Sequence, residues 1–311
     1  MEYITLRNSD IKVSRLCMGG CPMGQYGWGD VSERELIDAV NTAVDNGVTM
    51  FDTADTYGLG KSEETLCKAL GNRRKDVVIA SKFGVRVERG KTFYDNSPAY
   101  IEKALEGTLR RLNSDYVDLY QVHYRDGITP ISAVIEVLEA QRQKGKIRAY
   151  GLSNIYDDDR DELKSCIGKF VSLQDEYSLA NRSNEQGLVE LANALQLTPM
   201  TWGSLGQGIL TGKYTAETVF GSNDRRSRDI YVNFYGDKLA QNLRIVDAMR
   251  PIAERNTVSI AAVAVRFILD YIKDSVALVG AKRPSQILGS IEAMGWNLDS
   301  EEMAELNELS K

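Results

Sequence analysis

The stretch Gly47-Val-Thr-Met-Phe-Asp52-Thr-Ala-Asp55-Thr-Tyr57 changes abruptly from apolar to polar, and the fold can be worked out from that change. Its apolar run, Val48–Phe51, predicts a buried strand, because the preceding glycine suits a helix-to-strand turn. Three polar side chains, Asp52, Asp55 and Tyr57, follow at the point where this strand should end. A solvated turn would explain them as well as a functional site would.

A strand followed by a helix recurs eight times along the 311 residues. Short apolar runs predict the strands, and amphipathic segments, several of which open with an N-cap residue or a first-turn proline, predict the helices. The predicted strands are Arg15–Met18, Val48–Phe51, Val77–Ser81, Val117–Val122, Ile147–Gly151, Val171–Gln174, Pro199–Trp202 and Val276–Val279. The predicted helices begin near Ser32, Ser62, Ser97, Pro130, Asp157, Asn184, Ser259 and Pro284. A small hairpin of Tyr3–Leu6 and Lys12-Val13 precedes the first unit.

Eight such units predict the α/β class and a single (β/α)₈ TIM barrel, with residues 1–311 forming one domain. A doubly wound sheet is the alternative architecture. It is disfavoured because Gly19-Gly20 in the first unit is not followed by the GxGxxG spacing of a phosphate-binding loop. The segment from Thr211 to about Gly236 is too long for a simple connection, so we predict a lid after the seventh strand.

Composition narrows the class of partner. A net charge of −6 argues against a surface for nucleic acid or an anionic membrane. The four cysteines lack metal-ligand spacing and the chain has a single histidine, which argues against a zinc site of familiar type. The amino terminus lacks a basic region followed by an apolar one. We therefore expect a cytoplasmic protein with reduced thiols that acts on small molecules, and the sequence leaves oligomerisation open.

In a barrel of this kind the active site lies at the carboxyl ends of the strands, so the residues just past each strand should meet at one mouth. Each of these residues has a structural explanation when taken singly, such as a helix cap or an ion pair. Together they predict a site. In chain order they are Gly19-Gly20, Asp52, Lys82, His123, Ser153-Asn154, Gln174, Ser204, and Gly280 with Lys282-Arg283.

Three of these residues, Asp52, Lys82 and His123, make chemical sense together with Tyr57 as a proton-donating group. A tyrosine with a pKa of about 10 is a poor acid near neutrality, and a nearby ammonium should lower that pKa. Lys82 would supply the ammonium to Tyr57, Asp52 would hold Lys82 in place, and His123 is the only histidine of the chain. Asp55 finds no partner in this scheme and is predicted to belong to the turn.

Several motifs in this order make the chain resemble the aldo-keto reductase superfamily over essentially its whole length. It is similar in pattern to the bacterial IolS-like reductases and the potassium-channel β subunits. The matching segments are Phe51-Asp52-Thr-Ala-Asp-Thr-Tyr57-Gly with Ser62-Glu63-Glu64, Ala80-Ser81-Lys82-Phe83-Gly84, Asp115-Tyr116-Val-Asp118 through His123, Gly145-Lys146-Ile147-Arg148, Gly151-Leu152-Ser153-Asn154, Gln174-Asp-Glu-Tyr177-Ser178, Gly208 through Tyr214, and Gly280-Ala281-Lys282.

The resemblance implies a catalytic role for each residue of the group. Tyr57 would be the general acid and base, Lys82 and Asp52 would tune it, and His123 would orient the carbonyl. Family members that reduce conjugated C=C bonds carry glutamate at the fourth position. A histidine there therefore implies reduction of aldehydes, ketones or sugars.

The resemblance also implies NADPH as the cofactor. It places Lys282 and Arg283 at the adenosine 2′-phosphate, while Gly289 and Ser290 stand where relatives have glutamate and asparagine to hold the adenine, which leaves NADH open. The implied cofactor-binding residues are Gly20, Cys21, Asp52, Ser153, Asn154, Gln174, Trp202, Ser204, Leu205, Gly206, Gly208, Lys213, Gly280, Lys282, Arg283 and Gln286.

The first functional hypothesis is therefore an NADPH-dependent oxidoreductase of small carbonyls or polyols. Aromatic side chains at the mouth, Tyr26, Trp28, Phe83 and Tyr124, are the predicted substrate-binding residues. A cofactor-binding regulatory subunit with little turnover is the rival from another class. An aldolase with a Schiff base at Lys82 is a second rival, but it gives no role to the residues implied in cofactor binding.

Overall fold

A closed barrel of eight parallel strands forms the centre of the computed structural model, which describes residues 1–155 and 160–311. The barrel strands are β3 (Leu16–Gly19), β4 (Met50–Asp52), β5 (Val78–Phe83), β8 (Val117–Val122), β9 (Ile147–Ser153), β10 (Ser172–Glu176), β11 (Thr198–Trp202) and β12 (Val276–Gly280). Each predicted strand overlaps one of them, and the predicted barrel fold is confirmed. That residues 1–311 act as one domain stays a prediction.

Helices surround the barrel and connect its strands. They are α1 (Glu33–Asp45), α2 (Lys61–Leu70), α3 (Pro98–Leu112), α4 (Ile131–Gln143), α5 (Arg160–Leu163), α6 (Glu185–Ala194), α7 (Gly236–Asn256), α8 (Ile260–Tyr271), α9 (Pro284–Ile291) and α10 (Ser300–Leu309). Ser32 and Ser259 cap α1 and α8, because their side chains accept hydrogen bonds from the backbone N–H groups of Glu35 and Ala262. The predicted start of the fifth helix, near Asp157, lies outside the described residues. Within the described part of the chain, no helix has both the length and the apolar character needed to cross a membrane.

The structure adds elements that the sequence analysis missed. A second hairpin, β6 (Val85–Glu88) and β7 (Lys91–Tyr94), extends from the end of β5. The seventh unit contains two helices, α7 and α8, where one was predicted from Ser259. The signal for α7 was present, because Ile245, Met249 and Ile252 recur at helical spacing and are buried.

Side chains alternate along each barrel strand between the interior and the surrounding helices. Met50 and Leu119 belong to the inner apolar cluster, whereas the adjacent Phe51 and Tyr120 pack in the outer one. The amino-terminal hairpin, β1 (Tyr3–Thr5) and β2 (Lys12–Ser14), adds Val13 to the inner cluster. The hairpin therefore closes one end of the barrel and leaves the carboxyl ends of the strands as the open end.

This alternation decides which residues reach the open end. Asp52 follows Met50 by two positions and Lys82 follows Ala80 by two, so both side chains continue inward-facing rows. Phe83 is the next residue of β5, lies in the outer cluster and has no exposed surface. The prediction that Phe83 binds substrate is therefore wrong, because the period of two turns it toward the helices.

Asp118 joins three elements at the amino-terminal half of β8. Its carboxylate accepts a hydrogen bond from Ile79 N–H at 3.0 Å and pairs with Arg74 at 2.9 Å and Arg148 at 2.8 Å. The Asp118 side chain is 1% exposed. This carboxylate therefore fixes β8 against β5 and β9. Lys82 lies on β5, His123 directly follows β8 and Ser153 ends β9.

We expect Asp118→Asn to lower the free energy of unfolding by about 3 kcal/mol, because it leaves two guanidinium groups facing an amide. At roughly 2 °C per kcal/mol, the midpoint of thermal unfolding measured by circular dichroism should fall by about 6 °C. Asp247→Asn is the matched control, since Asp247 is 72% exposed and pairs with Arg250 on the surface of α7. A surface pair of this kind contributes about 0–1 kcal/mol, so equal midpoints for the two variants would contradict the assignment.

Candidate active site

A buried ion pair between Asp52 and Lys82 forms the floor of the open end. The Lys82 Nζ atom donates to Asp52 Oδ1 at 2.5 Å, and the two side chains are 3% and 1% exposed. The other carboxylate oxygen accepts hydrogen bonds from the Gln121 amide at 3.2 Å and the Gln174 amide at 2.8 Å. Lys82 also donates to the carbonyl oxygen of Thr53 at 3.0 Å. The carboxylate and the ammonium are therefore fixed by partners from four strands or their ends.

The Tyr57 hydroxyl lies next to this pair. Lys82 Nζ donates to the Tyr57 oxygen at 3.4 Å, so the hydroxyl proton is free to point elsewhere. Burial, followed by the negative charge of Asp52, raises the pKa of Tyr57 well above its ordinary value. The pKa of Tyr57 is therefore not lowered as the sequence analysis expects, because burial and the charge of Asp52 are the largest effects. Tyr57 therefore stays protonated at neutral pH, which is the form that can donate a proton.

His123 follows β8 and faces Tyr57. The two rings are 5.9 Å apart and nearly perpendicular, at 81°, and His123 stacks on Tyr124 with centroids 5.1 Å apart. Burial, and then the charge of Lys82, holds the pKa of His123 well below its ordinary value. The imidazole is therefore neutral near pH 7 and offers one donor and one acceptor nitrogen.

Asp55 has a partner, contrary to the sequence analysis. The Tyr100 hydroxyl lies 3.4 Å from Asp55 Oδ2. Burial, and then the negative charge of Glu63, raises the pKa of Asp55 to about 7. Asp55 therefore belongs to a buried polar cluster behind Tyr57.

A cavity of about 670 Å³ opens above Tyr57 and His123, within the size range of small-molecule and cofactor sites. Most of the predicted site residues line it. They are Asp52, Tyr57, His123, Gly20, Cys21, Ser153, Asn154, Gln174, Trp202, Ser204, Leu205, Gly208, Lys213, Gly280, Lys282, Gln286, Trp28 and Tyr124.

Near the catalytic group the cavity wall is built from side-chain amides and an indole. Asn154 Nδ2 donates to the carbonyl oxygen of His123 at 3.0 Å, and Asn154 Oδ1 accepts from Trp202 Nε1 at 3.0 Å. The Trp202 ring is thereby held at the end of β11, half-buried, with one surface toward the cavity. Ser204 Oγ donates to the carbonyl oxygen of Thr201 at 2.9 Å, which shapes the turn after β11.

A group of cations lines the other end of the cavity. Lys282 Nζ donates to the carbonyl oxygen of Trp28 at 2.7 Å. Burial and then the charge of Arg226 lower the pKa values of both Lys282 and Lys213. Cations that depress one another's pKa values form a site suited to an anion. Amides and an indole at one end and cations at the other fit a nicotinamide dinucleotide with phosphate groups.

Three predicted residues take other positions. Arg283 has a side chain that is 56% exposed and pairs with Glu35 at 3.4 Å. Gly206 is buried and has a φ of +54°, a conformation that favours glycine. Tyr26 is 72% exposed on the outer rim. None of these three residues lines the cavity, and their roles stay predictions.

The long segment after β11 supplies lining residues that the sequence analysis missed. It folds into short 3₁₀ turns, and the Arg226 guanidinium lies 4.6 Å from the centroid of the Phe220 ring and pairs with Asp224 at 2.6 Å. The consecutive arginines Arg225 and Arg226, close in sequence to aromatic residues, are the pattern that could have identified these lining residues. Whether this segment moves as a lid stays a prediction. The missed lining residues of this segment include Gln207, Thr211, Tyr214, Arg225 and Arg226, and further along the chain Ser259 and Ser285 also line the cavity.

Comparison with known proteins places the chain among enzymes of one family. The chain is 34% identical over 310 residues to the aldo-keto reductase YhdN of Bacillus subtilis (strain 168), covering 99% of this chain and 93% of that protein. It is 29% identical over 329 residues to an NADH-specific methylglyoxal reductase of Escherichia coli (strain K12), covering 100% of this chain and 99% of that protein. The solved structure of the glycerol dehydrogenase AKR11B4 from Gluconobacter oxydans superposes with a TM-score of 0.88 at 32% identity, covering 99% of this chain and 94% of that one.

The same assignment follows from a family model. The model of the aldo/keto reductase family matches residues 15–311, which include every barrel strand and the whole cavity wall. The similarity to IolS-like reductases and channel β subunits stays a prediction. The chain belongs to the aldo/keto reductase family.

Proposed function

We propose that this protein is an NADPH-dependent oxidoreductase that interconverts an aldehyde, ketone or sugar-like carbonyl and its alcohol. The observation that carries the proposal is the arrangement of Tyr57, which is half-buried and protonated, with Lys82 behind its oxygen and the cavity in front of it. This arrangement suits proton donation to a carbonyl oxygen. A bound reduced nicotinamide would supply the hydride.

Tyr57 acts as the general acid in reduction and as the base in the reverse direction. As charge develops on the substrate oxygen, Tyr57 gives up its proton and becomes a phenolate. The ammonium of Lys82, 3.4 Å from that oxygen, then stabilises the negative charge. Asp52 keeps Lys82 in place, and positioned acid catalysis of this kind contributes about 10²–10⁴ in rate.

His123 orients the carbonyl. Because its imidazole is neutral, it donates one hydrogen bond without adding a charge beside Lys82. The carbonyl oxygen is then positioned between two donors, the Tyr57 hydroxyl and the imidazole N–H. Holding the carbonyl in this orientation lowers the entropic part of the activation barrier.

The cofactor assignment rests on the chain's own residues. Lys282 and Lys213 would bind phosphate groups, Trp202 would pack on the nicotinamide ring, and Ser153, Asn154 and Gln174 would contact its amide. Asn154 Nδ2 and Gln174 Nε2 already donate to protein atoms, and Asn154 Oδ1 accepts from Trp202 Nε1, so a further contact would use the second lone pair of Asn154 Oδ1 or the side-chain oxygen of Gln174. NADH is the alternative cofactor. The similarity to the NADH-specific methylglyoxal reductase of Escherichia coli is the reason to test both nucleotides.

The aldolase alternative loses its support in this geometry. A lysine that forms a Schiff base must present an accessible, uncharged amine to the substrate. Lys82 is 1% exposed, and its three N–H bonds point to Asp52, Thr53 and Tyr57. The regulatory-subunit alternative is separated from the enzyme by turnover alone.

The proton-donor role predicts that Tyr57→Phe retains NADPH binding and loses carbonyl reduction. The loss in kcat should be about 10²–10⁴, because the acid is removed while the cavity wall is kept. Quenching of protein fluorescence by NADPH measures binding, and loss of nicotinamide absorbance with aldehydes and keto-sugars measures turnover. Tyr116→Phe, at a half-buried tyrosine before β8, is the matched control. Unchanged turnover in Tyr57→Phe would overturn the acid assignment, and binding without turnover in the unsubstituted protein would favour the regulatory subunit.

The cationic end predicts that Lys282→Ala weakens NADPH binding far more than NADH binding. A lost charge-assisted hydrogen bond to the 2′-phosphate should raise the Kd for NADPH by about 10–100-fold. Lys103→Ala, on the exposed face of α3, is the control for a change in net charge. Equal effects on the two nucleotides would contradict the proposed 2′-phosphate contact.

A further inference from the structure

An arginine near the catalytic group, Arg225, has no part in the proton transfer or nucleotide binding described above. Its half-buried side chain lines the cavity with Tyr57 and Trp28. Across residues 1–155 and 160–311, no carboxylate lies within ion-pair distance of its guanidinium. A cation held in a cavity wall without a counter-ion calls for an anionic ligand.

The loop that follows β3 holds the Arg225 side chain in place. The backbone N–H of Arg225 donates to the carbonyl oxygen of Gly27 at 3.0 Å, and Nη2 donates to the carbonyl oxygen of Tyr26 at 2.9 Å. The guanidinium lies 5.1 Å from the centroid of the Trp28 ring. Gly27 makes this possible, because a Cβ there would lie 2.7 Å from Arg225 Nε. The cation is therefore pre-positioned before any ligand binds.

The adjacent arginine shows how differently the two cations are placed. Arg226 donates to both carboxylate oxygens of Asp224, at 2.9 Å and 2.6 Å, and to the hydroxyl of Tyr214 at 2.6 Å. Asp224 is therefore already paired. Arg225 Nε is buried without a hydrogen-bond partner.

Arg225 lies beside the same indole as Arg226, with the two guanidinium groups 5.1 Å and 5.7 Å from the centroid of the Trp28 ring. Its positive charge lowers the pKa of Tyr57, against the larger effect of burial. Arg226 and Lys213 instead act on the pKa of Lys282, at the end assigned to the nucleotide phosphates. Of the two arginines, Arg225 is the one without a carboxylate within ion-pair distance among the described residues.

We propose that Arg225 binds an anionic group of the substrate, so that the preferred carbonyl compounds carry a carboxylate or phosphate close to the carbonyl carbon. This inference rests on the proposed function. Among the described residues that line the cavity, Asp52 is the sole carboxylate, and it is paired with Lys82. The planar guanidinium matches the geometry of either anion.

The test compares carbonyl substrates of equal length with and without charge. Succinic semialdehyde is paired with butyraldehyde for a carboxylate, and glyceraldehyde 3-phosphate with glyceraldehyde for a phosphate. The readout is the ratio of kcat/KM values, anionic over neutral, with NADPH in excess. The ratio should exceed 10 in at least one pair and fall about 10–100-fold in Arg225→Met. The pair that responds identifies the anion.

Matched variants separate local contact from the general field. Arg228→Met removes the same charge from an exposed position of the same segment and should leave the ratio unchanged. Arg225→Lys keeps a charge and should keep part of the preference, which covers the case in which Arg225→Met folds poorly. The Kd for NADPH in Arg225→Met should stay within about twofold of the starting protein.

Three outcomes would overturn the inference. A ratio near 1 with measurable turnover of the neutral aldehydes would refute it and leave the proposed function intact. A rise in the Kd for NADPH with no change in the ratio would make Arg225 a nucleotide ligand. No turnover of any aldehyde, with NADPH bound, would refute the proposed function and this inference together.

Discussion

A buried ammonium group that must satisfy three N–H bonds organises the active end of this barrel. The Lys82 ammonium donates these three hydrogen bonds to Asp52 on the neighbouring strand, to the carbonyl oxygen of Thr53 and to the hydroxyl oxygen of Tyr57. Removing a charge from water in this way costs several kcal/mol, so the pair is stable only with all partners in place. The same requirement that stabilises the lysine therefore fixes the tyrosine oxygen and frees its proton for the cavity.

The cavity combines uncharged catalytic groups with several cations in its wall. Tyr57 and His123 are both held in their uncharged forms by burial. Lys282, Lys213, Arg226 and Arg225 add positive charge to the cavity wall. A neutral acid between cations suits a reaction in which negative charge appears on a substrate oxygen and is then neutralised by a proton.

The barrel and the positions of Asp52 and Lys82 could be predicted from sequence, because strand ends in this fold meet at one mouth. Other features depend on three-dimensional detail. Phe83 was misplaced although the alternation of inward and outward residues would have excluded it. The direction of the pKa shift of Tyr57 depends on burial, which a list of nearby charges does not contain. Arg225 was missed because its orientation is set by a loop distant in sequence.

The most direct test of the central claim is a double-mutant cycle on kcat for carbonyl reduction, with Asp52→Asn, Lys82→Met and the two combined. If the ion pair acts as a unit that positions Tyr57, each single variant should lose about 10²-fold or more. The double variant should then lose no more activity than the more impaired single variant, because one change has already removed the function of the pair. Losses that multiply in the double variant would show that the two residues act independently and would contradict this account.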